Sequence, residues 1–338
     1  MRPLTLKRMG WICGALAVVL LGSVVVSVQL GAVPVSASEL LLSLGRAAIG
    51  GSDQLPSEYR LIVFEIRLPR ILLAILVGAA LSVAGAGFQA LLRNPLADPY
   101  VLGVSSGAAL GAILSLIAEP RAPVAMQLAA FVGAAVTIAG VYFLGQRSGQ
   151  LDSYTLLLAG IITASFLSAV IMFLMTTVSG RDLRGMAFWL MGDLSTPPRV
   201  PLWWLFLGLG LAVGFIYTTA SDLNLLLAGE QEAMHLGVDV ARVKLVVYLS
   251  ASVLTGLAVS VGGSIGYVGL LVPHVMRLLF GSDYRLLIPT AALGGAIAIV
   301  LADMLARTIV APTELPVGAM TAMAGAPMFI YLLRRKLP

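Results

Sequence analysis

The residues able to do chemistry in this chain are few, and arginines dominate them. Arg67 and Arg70 sit three apart in R-L-P-R, at the head of a run from Ile71 to Leu92 without a charged residue. Asp303 precedes Arg307 by four positions, the helical spacing of an ion pair. Arginines in such places offer charge-assisted bonds to carboxylates. The acids they meet are Glu65 or Asp303 of the same chain, or those of a partner; at a span end they also serve as interfacial anchors. Nothing points to bond-breaking chemistry. There is no G-x-x-x-x-G-K-[ST] phosphate loop and no H-E-x-x-H pair. The two histidines, His235 and His274, have no second ligand at metal spacing, and His274, after Pro273, reads as packed or interfacial. The single cysteine, Cys13, excludes an internal disulfide and a cysteine metal cluster. No span carries the acids and histidines of an ion-coupled carrier, nor a catalytic pair. An ion-coupled secondary transporter working alone and a membrane-embedded enzyme are therefore competitors that lack their own signatures.

The elements that position these residues are membrane spans. Of 338 residues, 59% are hydrophobic and 11% charged, against about 25% charged in an ordinary soluble domain. Mean hydropathy is +1.00. The net charge of +5 comes from basic residues placed singly at span ends, which does not suit a nucleic-acid partner. Apolar runs of spanning length predict an all-α polytopic protein with about ten helices near 10–33, 68–92, 100–118, 123–145, 153–178, 200–219, 245–261, 270–280, 286–309 and 317–333. A short surface helix is expected at Glu39 to Ala48, tight turns at Arg93 to Pro99, Glu119 to Arg121 and Arg147 to Asp152, and an interfacial helix within 180–199 anchored by Trp189. The most polar segment is 220–244. The N-terminal run from Met9 to Val28 is longer than a signal peptide's apolar core, so it reads as an uncleaved span despite Val35-Ser36-Ala37. An even span count, with Arg334-Arg335-Lys336 at one of the two basic termini, puts both on the cytoplasmic side of the membrane. The whole chain, 1–338, reads as one transmembrane domain.

Several segments, taken in order, resemble the FecCD-type permeases, the transmembrane subunits of bacterial type II ABC importers for iron–siderophores, haem and cobalamin. They are R-L-P-R at 67–70, N-P-L-A-D-P at 94–99, G-V-S-S-G-A at 103–108, L-L-L-A-G at 156–160, F-W-L-M-G at 188–192 and L-A-G-E-Q-E-A-M-H-L-G at 227–237. G-S-I-G-Y-V-G-L-L-V-P-H-V-M-R-L-L-F-G-S-D-Y-R at 263–285, L-A-D-M-L-A-R at 301–307 and E-L-P-V-G-A-M at 314–320 complete the series. Asp283-Tyr284-Arg285 stands where most members read D-H-R; the charged flanks remain.

The resemblance implies a homodimer in the lipid bilayer, two cytoplasmic ABC ATPase subunits below it and a periplasmic substrate-binding protein above it. It implies no cofactor, no catalysis by this chain and no resident metal. By the family's pattern, Arg67, Arg70 and Arg307 receive acids of the binding protein. Leu225, Leu226, Leu227, Ala228, Glu230, Ala233, His235, Leu236 and Gly237 form the coupling segment that seats in the ATPase. The path is expected along the fifth span, at Gly160, Thr163, Ser165 and Ser168, with a constriction at Ser153 and Tyr154. The implied cargo is an iron chelate, siderophore or haem, with cobalamin the alternative.

Overall fold

A computed structural model describes residues 5–31, 42, 45–46, 61–118, 123–147, 150–177, 180–195 and 200–334. The helix expected at Glu39 to Ala48 falls mostly outside the described residues. Val35-Ser36-Ala37, the Glu119-Pro120-Arg121 turn, Arg2, Arg335 and Lys336 fall wholly outside them.

The chain threads α1 (Leu6–Gln29), α2 (Leu68–Leu91), α3 (Val104–Ala118), α4 (Pro123–Leu144), α5 (Ser153–Thr177), α6 (Gly180–Leu190) and α7 (Leu202–Thr218). It continues through α8 (Ala220–Leu226), α9 (Glu230–His235), α10 (Val240–Gly262), α11 (Val268–Phe280), α12 (Tyr284–Thr308) and α13 (Val317–Arg334). A two-stranded hairpin, β1 (Gln146–Arg147) and β2 (Gln150–Leu151), pairs Gln146 with Leu151 between α4 and α5. Six of the described helices are long and apolar enough to cross a membrane, α7 becomes a further one when counted together with α8 across a bend of 49°, and α3, α11 and α13 are shorter apolar helices. This set is roughly consistent with the ten or so spans expected, and the protein is an all-α polytopic membrane protein.

The hub is α2. A π-helical turn, Leu61–Arg67, leads into it, and Pro69 sits in its first turn, where a missing N–H costs nothing. Of its most apolar window, 89% is buried, mainly by α12, α10, α11 and α7. Apolar side chains gain little by leaving lipid for protein, so close packing of small residues must hold such helices together. A Cβ on Gly78 would run into the carbonyl of Gly295 in α12, and one on Gly85 into the carbonyl of Gly269 in α11. Gly107 and Gly133 bring α3 and α4 together in the same way. By contrast α1 and α5 each bury only 17% of their apolar windows, so most of their surface faces away from the bundle.

Two breaks meet inside the bundle. The expected turn at Arg93 to Pro99 begins at the end of α2, but the chain then climbs back. Asp98 accepts a bond from Tyr100 N at 2.8 Å, and Pro99–Leu102 forms a 3-10 turn before α3. The second break is Gly263 to Tyr267, between α10 and α11. The Tyr100 hydroxyl donates to the Ile265 carbonyl and accepts from the Ile265 amide, both at 2.9 Å. The Gln89 amide donates to the carbonyls of Ala97, Gly269 and Leu270 at 3.2–3.4 Å. Irregular backbone at membrane depth survives only where protein satisfies its polar groups, and here each break supplies partners to the other. Trp189, expected as an interfacial anchor, is half-buried. Its carbonyl accepts bonds from Gly192 N and Ser264 N, tying the end of α6 into the second break.

Candidate functional site

Three groups of residues singled out in the sequence occupy three separate regions. At one end of the bundle, Arg67, Arg70 and Arg307 converge with Asp303 and Glu314. Arg70 Nε is 2.8 Å from Asp303 Oδ1, and Arg70 Nη1 is 2.7 Å from Glu314 Oε2. Arg307 Nε approaches Asp303 Oδ2 to 3.0 Å, the helical pair that the spacing implied. That approach is an ion contact rather than a well-directed hydrogen bond, since Oδ2 has no hydrogen-bond donor and the Nε–H is aimed at the Asp303 carbonyl, 3.4 Å away. Asp303 is 1% exposed, whereas the Glu314 side chain is 45% exposed.

The position of α1 explains why these guanidiniums are buried. The last four carbonyls of a helix have no partner within it. Here Val26 O accepts from Leu30 N, and Ser27 O from Arg307 Nη2 at 3.3 Å. Val28 O and Gln29 O accept from Arg67 Nη1. Arg307 also donates to the Ser27 hydroxyl at 2.7 Å. Arg67 and Arg307 therefore complete the end of α1, where positive charge also complements the helix dipole. Sequence spacing showed the Asp303–Arg307 pair. Glu314, and the α1 carbonyls nearly forty residues before Arg67, carried no local signal.

At the opposite end, α8 and α9 make a short helix pair. Leu226 and Ala233 are buried under it and Leu225 is half-buried, while Leu227, Ala228, His235, Leu236 and Gly237 are exposed. Leu227, Met234 and Leu236 thus leave an apolar row uncovered on the most polar segment of the chain. Gly229 and Gly237 take positive φ, +145° and +86°, at the turns that bound α9. Beyond this pair, Asp283 caps α12, bonds Arg285 and Asn224, and is held down to about 2, chiefly by its hydrogen bonds from the Arg285 side chain.

The third group lies along α5. Ser153 Oγ donates to the Leu91 carbonyl at 3.0 Å, and Tyr154 beside it is 76% exposed. Asp152, whose carboxyl the Thr155 hydroxyl and amide hold below the ordinary range, caps the helix. Ser165 and Ser168 are exposed and Thr163 is half-buried. Gly160 instead is buried against Leu102 and the Val101 carbonyl, a close approach that a Cβ would prevent. Among the described residues no three histidines, cysteines or acids cluster as metal ligands.

An all-α bundle of about ten helices, with a buried hub helix, paired internal breaks and a short helix pair at one end, is a polytopic membrane protein. The chain belongs to the FecCD transport family, whose pattern covers residues 18–335. It is 44% identical over 285 residues to the cobalamin import system permease protein BtuC of Halobacterium salinarum, covering 82% of this chain and 75% of that one. It is 42% identical over 284 residues to the hemin transport system permease protein HmuU of Yersinia pestis, covering 80% of this chain and 83% of that one. Among solved structures, a chain described as part of an inward-facing ABC transporter of metal-chelate type aligns with a TM-score of 0.82 at 31% identity, covering 97% of this chain and 100% of that one. The protein is accordingly an ABC importer permease of this family.

Proposed function

We propose that the chain, acting as a single permease domain, is the membrane subunit of a homodimeric importer that carries an iron chelate, siderophore or haem, from periplasm to cytoplasm across a bacterial inner membrane. ATP hydrolysis falls to two partner ATPases, and both termini face the cytoplasm with them. The observation that carries this reading is the exposed apolar row Leu227, Met234 and Leu236 on the α8–α9 pair. A solvated loop does not need it, whereas a helix seated in a partner's groove does. Ala228, His235 and Gly237 extend that surface and Leu225 and Glu230 border it, whereas Leu226 and Ala233, expected in the seat, are buried beneath the pair and hold it to the bundle instead. The little-buried α5, with Thr163, Ser165 and Ser168, supplies a weakly polar wall for a bulky cargo that must also be released. Ser153 and Tyr154 stand at its constricted end. Cobalamin is the second reading of the cargo, favoured by the relative from Halobacterium salinarum.

A periplasmic binding protein docks on the opposite end, at Arg67, Arg70 and Arg307. Their burial gives that docking a specific form. The exposed carboxylate of Glu314 already holds Arg70, so a partner's acid takes its place by exchange. Glu314→Gln is expected to raise affinity for the binding protein and steepen its salt dependence, because a charged competitor for Arg70 is gone. Equal affinity by surface plasmon resonance would remove Arg70 from the docking set.

The test of the whole reading is ATPase activity of the reconstituted complex with binding protein loaded in turn with haem, a ferric siderophore or cobalamin. Stimulation by an iron chelate is the expected result, and stimulation by cobalamin alone selects the second cargo. Cargo uptake by the purified chain without any ATPase would overturn the importer assignment in favour of a secondary transporter.

A further inference from the structure

One buried charge joins the head of α5 to the α8–α9 pair. The side chain of Lys244, in the second turn of α10, is 7% exposed. Its ammonium donates to Glu230 Oε2 at 2.8 Å and to the Leu151 carbonyl at 3.1 Å. Glu230 is the first residue of α9, and Leu151 ends the hairpin one residue before Asp152, the cap of α5. The Ser153 hydroxyl fastens the same helix head to the end of α2 through Leu91. Arg93 lies 3.9 Å from the other oxygen of Glu230. Together with Arg147 and Tyr154 these groups line an open cleft of about 660 Å3.

The division of the ammonium's bonds is informative. A buried charge must be paired, and Glu230 meets that need. The bond to the neutral Leu151 carbonyl adds no neutralisation, yet it holds the hairpin to the same nitrogen that holds α9. The Lys244 side chain is buried and its nitrogen is held by two oxygens from different segments, so it has little freedom to swing.

We propose that Lys244 is a positioning residue that makes α9 and the head of α5 move as one unit, so that displacement of the ATPase-facing segment reaches the constriction at Ser153 and Tyr154. This rests on the reading of α8–α9 as the ATPase seat and of the α5 head as a gate. Allosteric coupling between two sites is ordinarily worth about 5- to 150-fold in a two-state ratio.

The test uses the complete permease–ATPase complex in nanodiscs, with Cys13→Ser and Tyr154→Cys, and compares maleimide labelling rates in the nucleotide-free and vanadate-trapped states. With Lys244 intact the two rates differ. Lys244→Met keeps the stem and removes both bonds, and is expected to shrink the ratio of rates about fivefold or more while ATP hydrolysis continues. Lys244→Gln, whose shorter neutral head cannot bridge both oxygens, is expected to shrink the ratio likewise, which covers the case in which Lys244→Met does not assemble. A ratio that survives either substitution overturns the link and leaves the importer reading standing. Equal rates in the two states with Lys244 intact instead overturn the gate reading on which the link depends.

Discussion

Replacing Asp303 with alanine is expected to cost the protein about 3–5 kcal/mol of stability, the range for breaking a buried ion pair from one side. Asp303 is 1% exposed and stands between two guanidiniums, at 2.8 Å from Arg70 and 3.0 Å from Arg307. Without it, two buried cations face each other with only the partly exposed Glu314 to offset them. The damage spreads, because Arg307 also completes the end of α1 through Ser27. Asp303→Asn is expected to be milder. It keeps an oxygen for Arg70 Nε but loses the charge that both arginines share. Thermal unfolding of the detergent-solubilised protein, followed by size-exclusion chromatography, would rank the two variants. An Asp303→Ala protein that melts with the wild type would show that the cluster does not hold this end together.

The second large effect is expected at the crossing of α2 and α12. Gly78→Val places a Cβ and two methyl groups where the Gly295 carbonyl and the Ala296 amide already lie. Overpacking ordinarily costs about 1–3 kcal/mol, since neighbouring side chains yield by changing rotamer. Here the obstacle is backbone, which can yield only if two helices separate along one of the longest contacts in the protein. A cost above about 3 kcal/mol is therefore expected, with loss of monodisperse protein. Gly85→Val meets the Gly269 backbone and is expected to behave alike. Gly14→Ala in α1, with nothing within 4 Å of the new Cβ, is the control and should be tolerated. Were Gly78→Val to express and melt like Gly14→Ala, the close crossing would be disproved.

Much of this was legible in the sequence. Apolar runs of spanning length are written in composition alone, so α2, α5, α10 and α12 fall where the apolar runs lie. The polar 220–244 segment reads as a non-spanning element for the same reason. The short helices were less legible. The expected span at 100–118 begins only at Val104, because Asp98 to Gly103 forms a cap and a 3-10 turn, and the interior placement of that turn depends on Ile265. Trp189 showed its amphipathic character but not its bonds to Ser264, which lies in another break.

By itself, the sequence determined the all-α membrane character, the approximate number of spans, the Asp303–Arg307 pair and the family, since each rests on local spacing or on motifs read in order. Tertiary structure alone decided what the arginines touch. R-L-P-R marks the head of a span, but the carbonyls that Arg67 satisfies belong to α1 and the carboxylates that Arg70 holds belong to the last third of the chain. The same is true of Lys244, an ordinary basic residue at a span end until Leu151 and Glu230 are brought to its ammonium. The reason is physical. Helix formation and membrane insertion depend on neighbours within a few turns, whereas a buried charge is defined by whichever distant oxygens the folded bundle places around it.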